Sequence, residues 1–247
     1  ERAVTLTPMP AATRPQGAPL VVAVDGPSGS GKSSVSRAVA SQLGMRYLDT
    51  GAMYRAVALW MLRNGVDVEV PEAVAARVDD VDVASGTDPS APDIRLGTES
   101  VAEAIREAEV TEVVSRVSAV PLVRTMLVGY QRELASSAET DGTGIVVEGR
   151  DIGSTVLPDA DVKIFLTADH EARAARRALQ DNEEGRASDV SQAATSLAAR
   201  DQADSSRAAS PLTKADGAVT IDATFLTLDQ VVAAVLGLVE DRQLQGQ

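Results

Sequence analysis

The sequence predicts an α/β fold: a five-stranded parallel sheet flanked by helices, interrupted by a small inserted α+β subdomain. Three observations lead there. Five short apolar runs alternate with helical stretches, an order that puts helices on both faces of a parallel sheet. The first run, Leu20–Asp25, is apolar without alternation, as expected for a strand covered on both faces. Residues 66–112 then break the alternation; they are rich in Asp, Glu and Val and punctuated by Gly86, Pro89, Pro92 and Gly97.

Residues 1–18, rich in Pro, Thr, Ala and Arg without periodicity, read as a disordered tail. The core spans 19–65 and 113–242. After the first strand comes a Gly-rich turn, then a helix from Ser33 to Leu43 ending at Gly44. Arg46 to Leu48 is a short second strand, and Gly51 to Arg63 is helical. Within 66–112, short strands near Val81–Ala84 and Ile94–Leu96 read as antiparallel. Ile145–Val147 and Val162–Leu166 are further core strands. Residues 169–204 are helical and Arg-bearing, broken around Gly185. Ala218–Ile221 is the last strand, and Thr227-x-x-Gln230 is a capping box opening the final helix.

Composition narrows the function. The chain has 247 residues with 36 acidic against 23 basic, a net charge of −13. That acidity argues against sequence-independent polynucleotide binding and against anionic membranes. Six aromatics leave little for a base-stacking platform. No cysteine is present, so thiolate metal sites, disulfides and a cysteine nucleophile are excluded. No apolar run reaches 18 residues and no signal pattern is seen, so a cytoplasmic protein is expected; a monomer is expected as well. His170 is the one histidine and receives no role.

The chemistry centres on Gly26-Pro27-Ser28-Gly29-Ser30-Gly31-Lys32-Ser33, which fits G-x-x-x-x-G-K-[ST]. Its place between a buried strand and a helix is where a phosphate-binding loop must sit. Glycines allow the tight turn that aims backbone N–H groups at phosphate oxygens. Lys32 reaches the outer phosphates, Ser33 supplies a hydroxyl to Mg²⁺, and the helix start adds its positive end. Two GTPase-like decoys, Asp141–Gly144 and Thr213–Asp216, precede strands rather than follow them, and ligands sit at the carboxyl ends of parallel strands. Asp25, closing the first strand, is open to two readings: orienting a water on Mg²⁺, or capping the turn.

A set of arginines completes the picture. Arg55 follows the second strand and Arg150 the third, at the same sheet edge as the loop. Arg200, Asp204 and Arg207 fall at i, i+4 and i+7 on one helix face. Together with Asp25–Ser33, Leu48–Arg55, Gly149–Gly153 and Pro158–Leu166, this set resembles the bacterial cytidylate (CMP) kinases over roughly residues 20–240. The resemblance implies a phosphate-loop kinase core, an enlarged monophosphate-binding insert at 66–112 and a helical lid at 170–187. It also implies ATP with Mg²⁺ as phosphoryl donor and CMP or dCMP as acceptor.

Residue by residue, the resemblance implies that Gly26 to Ser34 cradle the ATP phosphates. Arg55 and Arg150 clamp the CMP phosphate, with Thr50 and Tyr54 as pocket walls. Ser115, Arg124 and Asp151 read or position the cytosine edge, and Arg200, Asp204 and Arg207 contact sugar and phosphates. Arg173, Arg176 and Arg177 belong to the lid, with Arg176 and Arg177 joining Lys32 and Arg150 as catalytic cations. Set beside these roles, Tyr54 is open to a core reading, Asp151 to a structural pairing with Arg124, and the lid arginines to a solvated face. Two departures stand out: Thr50 occupies a position often Ser, and Ala203 and Ser205 stand where some relatives carry further arginines. The alternatives are another small-molecule kinase, of UMP or shikimate type, and an ATP-binding module without transfer activity. Acceptor dependence of ADP release separates them.

Overall fold

The computed structural model describes residues 18–183, 189–207 and 211–245. The expected tail up to residue 17, the break at Gly185 and the lid segment 184–187 lie outside them. The chain runs through β1 (Val21–Asp25), α1 (Lys32–Leu43), β2 (Arg46–Asp49) and α2 (Thr50–Arg63). The insert follows as α3 (Pro71–Ala75), β3 (Val83–Ser85), β4 (Ile94–Leu96) and β5 (Glu99–Ser100). Then come α4 (Ala108–Ala119), α5 (Pro121–Thr140), β6 (Ile145–Gly149) and β7 (Val162–Thr167). The chain closes with α6 (His170–Glu183), α7 (Val190–Ser205), β8 (Val219–Asp222) and α8 (Leu228–Gln245).

The main sheet has the order β2-β6-β1-β7-β8, and its paired strands are all parallel. Every residue of β1 and of β6 is buried, which explains their unbroken apolar runs. Successive side chains of β1 enter opposite cores. Val21 and Ala23 join α2, α4, α5 and the insert, whereas Val22 and Val24 join α1, β7 and α8. β7 alternates buried and half-buried positions, so it is less covered on one face than the apolar run suggested. The chain leaves β1 for the edge strand β2 on one side and leaves β6 for β7 on the other. The carboxyl ends of β1 and β6 therefore flank the crevice at which connections reverse, where α/β sheets bind ligands.

The insert carries the expected antiparallel sheet, β3-β4-β5, with β3 starting at Val83 rather than Val81. It has no separate core. Val81, Ile94, Val101 and Ile105 pack into the same cluster as Leu48, Met53 and Val57 of the main body. The boundary placed between 112 and 113 also falls inside α4, whose buried Val110, Val113, Val114 and Val117 make it one continuous element. The end placed at 242 falls inside α8. A loop of the insert covers the free edge of β2: Tyr47 N donates to Thr87 O at 2.9 Å, and Arg37 Nε to Pro89 O at 3.1 Å. Such cover blocks edge-to-edge pairing.

Capping follows the sequence signals. Gly44 ends α1 in the left-handed region, φ 64°. Thr227 and Gln230 form the reciprocal capping box. No single helix among the described residues is long and apolar enough to cross a bilayer. α4 and α5 taken together pass on composition, but they meet at 92° and bury their apolar faces in the core.

Candidate active site

The loop from Gly26 to Gly31 turns back over the end of β1. Gly26 sits at φ 150° against β7, and a Cβ there would lie 2.0 Å from Leu166 O, so no other residue fits. Neither Gly26 nor Pro27 lines the cleft; Gly26 makes the turn possible, and the Pro27 carbonyl accepts Lys32 Nζ at 2.8 Å. Ser28 through Ser34 do line it, with Ser33 and Ser34 exposed at the start of α1. The cleft encloses about 660 Å³, within the range of small-ligand sites.

The wall opposite is built from α2, α4, α5 and the loop after β6. Arg55, half-buried, donates from one Nη1 to Ile105 O at 2.9 Å and to Thr111 Oγ1 at 3.0 Å. Burial, with Arg200 and Arg177 nearby, lowers its proton affinity to about 9. Arg124 and Asp151 form a buried ion pair, 6% and 4% exposed, and the Arg124 guanidinium lies 5.6 Å from the Tyr54 ring centroid. Among the described residues, Arg124 Nη1 has no hydrogen-bond partner. Ser115 lines the same wall, and its carbonyl accepts Ser118 Oγ at 3.1 Å. Thr50 turns its hydroxyl to Glu148 O, 2.7 Å away, while also lining the cleft.

The arginines converge, but not on one helix face as expected: α7 ends at Ser205, so Arg207 reaches Asp204 from beyond the helix cap. Asp204 accepts Arg150 Nε at 2.8 Å and also pairs with Arg207; Arg200 stands beside them, its Nε without a partner among the described residues. Burial would raise Asp204, but Arg150 and Arg207 outweigh it and hold the carboxyl below its ordinary range. Burial, then Arg150 and Arg177, lower Arg200 to about 10. Burial and Arg124 likewise lower Arg207. Burial leads each of these arginine shifts and neighbouring cations deepen it; the cleft lining holds more arginines than carboxylates.

The lid arginines divide. Arg176 and Arg177 line the cleft; Arg176 also donates to Ala223 O, and Arg177 Nε to Asp181 at 3.0 Å. Arg173 is 7% exposed and does not line the cleft, which corrects its placement with the lid cations. It donates to Ala168 O and to Ser28 O, each at 3.1 Å, and pairs with Asp201. It is a brace between the phosphate loop, α6 and α7.

Two carboxylates, Asp25 and Glu148, lie near Lys32. Asp25 caps a different turn from the one that follows it: its two oxygens accept backbone amides beyond β6, Ile152 N and Gly153 N at 2.8 Å each. They anchor a turn of π-helix, Ile152–Val156. Burial, only partly opposed by those amides, pushes Asp25 up to about 6. Glu148 is 3% exposed at the end of β6, and burial and Asp49 push its carboxyl up. Burial and Arg150 push the Lys32 ammonium down.

The family model for cytidylate kinase matches residues 22–241, nearly the whole chain. The chain belongs to the cytidylate kinase family. It is 57% identical over 224 residues to the cytidylate kinase of Streptomyces avermitilis, covering 91% of this chain and 94% of that one. It is 52% identical over 228 residues to the cytidylate kinase of Rhodococcus opacus, with 92% and 98% covered. It is 48% identical over 221 residues to that of Corynebacterium diphtheriae, with 90% and 94% covered.

For this member of the cytidylate kinase family, the cleft residues to which the sequence assigned no role include Asp49, Arg106, Ser118 and Glu148. Glu148 and Asp49 carried a signal, since each is an acid ending an apolar strand at the ligand edge of the sheet. Asp49 also caps α2, accepting Ala52 N at 3.0 Å. Arg106 and Ser118 carried none, because only the folding of the insert against α2 and α5 turns them to the cleft.

Proposed function

We propose that the chain transfers the γ-phosphoryl group of ATP to CMP or dCMP, giving ADP and the nucleoside diphosphate. The observation that carries this reading is one cleft joining a phosphate loop to arginines drawn from α2, α5, α6, α7 and the loop after β6. One triphosphate and one monophosphate would supply the negative charge that cluster lacks. In this reading Ser28–Ser34 and Lys32 hold the donor, and Arg55, Arg150, Arg200 and Arg207 hold the acceptor phosphate and sugar. Arg176 and Arg177 close over the transferring group. The acceptor is a phosphate oxygen already anionic near neutral pH, so positioning and charge stabilisation suffice without a general base.

The buried Arg124–Asp151 pair, beside Tyr54 and Ser115, offers a fixed donor and a fixed acceptor at the far end of the cleft. Cytosine presents an exocyclic donor where uracil presents an acceptor, so a fixed partner set penalises uracil by leaving buried groups unpaired. The oxygen donors at the loop fit Mg²⁺: the exposed Ser33 hydroxyl would ligate it, with Glu148 and Asp49 on the same side. Mg²⁺ would neutralise charge on the transferring phosphoryl group. In this reading the chain acts as a monomer, and ATP as co-substrate points to action in the cytoplasm.

The test is ADP release by the purified protein with CMP, dCMP and UMP. Turnover is expected with CMP and dCMP. Equal efficiency with UMP would overturn the cytidine assignment, and no acceptor-dependent release would overturn the kinase reading.

A further inference from the structure

Tyr47 is 2% exposed and packs in the core under α1, among Val35, Val39 and Val146. Its register partner across the β2–β6 ladder is Val146, so Glu148, two residues further along β6, projects to the same face. The phenol spans that offset, and its hydroxyl donates to Glu148 Oε1. Phenylalanine would fill the same apolar space; the hydroxyl is the part that reaches Glu148 and the neighbouring Ser33 hydroxyl. The backbone of Glu148 is pinned as well, by Thr50 Oγ1 at 2.7 Å. A carboxylate held at one oxygen and at its own carbonyl has little freedom left. It faces the cleft beside Lys32 and Ser33, where an oxygen-ligated cation would accompany a bound nucleotide.

We infer that Tyr47 is a positioning residue: by holding Glu148 Oε1 it fixes the carboxylate next to Ser33 and so sets the affinity for the divalent cation carried by the nucleotide. The inference rests on the kinase reading only in that a cation accompanies the donor nucleotide. Groups that orient a metal-site carboxylate typically change affinity by 10–100-fold when removed.

The test is an electron paramagnetic resonance titration of Mn²⁺ into the full chain saturated with ADP. Tyr47→Phe should bind Mn²⁺ about 10-fold more weakly than the unaltered protein, with an unchanged KM for CMP. In a Glu148→Gln background, Tyr47→Phe should add nothing. Glu148→Asp, which keeps the charge but withdraws it from the hydroxyl, should weaken Mn²⁺ binding to a similar degree and serves if Tyr47→Phe folds poorly. Mn²⁺ affinity in Tyr47→Phe equal to that of the unaltered protein would overturn the inference. So would a full further loss in the Glu148→Gln background. Because the titration contains no acceptor, it is decided separately from the kinase reading, which stands or falls on acceptor-dependent ADP release.

Discussion

Asp204 Oδ2 receives Arg150 Nε at 2.8 Å, joining the C-terminal end of α7 to the loop after β6. The same carboxylate, 3% exposed, also pairs with Arg207, and Arg200 lies alongside. One aspartate thus holds together cations that would otherwise repel.

Asp204→Ala should therefore destabilise the free protein by about 3 kcal/mol at low salt. That is the lower end for breaking a buried pair, because Arg150 keeps some solvent access. An anion that takes the empty place should restore part of the loss by mass action. Thermal midpoints with and without sulfate check this. Sulfate should raise the midpoint of Asp204→Ala more than that of the unaltered protein; an equal rise in both would remove the bridging role.

Arg173 and Arg177 lie one helical turn apart, and their variants should fail differently. Arg173→Ala removes three anchors, at Ala168, Ser28 and Asp201, from a buried guanidinium. It should cost about 3 kcal/mol of stability and weaken ATP binding through the displaced loop. Arg177→Ala removes an i,i+4 pair on α6 and should change stability by less than about 1 kcal/mol. Its rate should nonetheless fall on the order of 10²-fold, as when one donor to a developing charge is lost. Urea denaturation, ATP affinity and kcat for each variant decide it. Unchanged stability and ATP affinity in Arg173→Ala would remove its bracing role.

This contrast marks where the sequence stops being legible. The phosphate loop was readable because its turn demands glycine at fixed positions, as the Gly26–Leu166 approach shows. Arg55 and Arg150 were readable because strand ends at one sheet edge converge. Arg173, Arg176 and Arg177 share one helix and one composition, and only the packing of α6 on α7 decides which is buried. The Tyr47–Glu148 contact bridges residues 101 apart and has no local signature. The edge at 112/113 failed for a related reason: a change of composition marked the insert, but α4 runs through it because its apolar face serves the shared core.

Asp25 gives a pH test with a definite sign. Its carboxyl is raised in the fold from 3.8 to about 6, burial outweighing the two amides it accepts. A raised carboxyl binds its proton more tightly when folded. Its contribution is fully present below pH 3.8 and is lost as pH rises through about 6. Asp25→Asn has no such titration, although it can accept only one of the two amides. The unfolding free energy of the unaltered protein minus that of Asp25→Asn should therefore shrink by about 2 kcal/mol between about pH 4.5 and 7.5. Urea denaturation of both proteins at the two pH values measures this. A difference that stays constant or grows over that range would mean that the two amides hold the carboxylate at or below its ordinary proton affinity. The anchor of the Ile152–Val156 turn would then be a stabilised charge, and the protein would be strengthened by it at neutral pH.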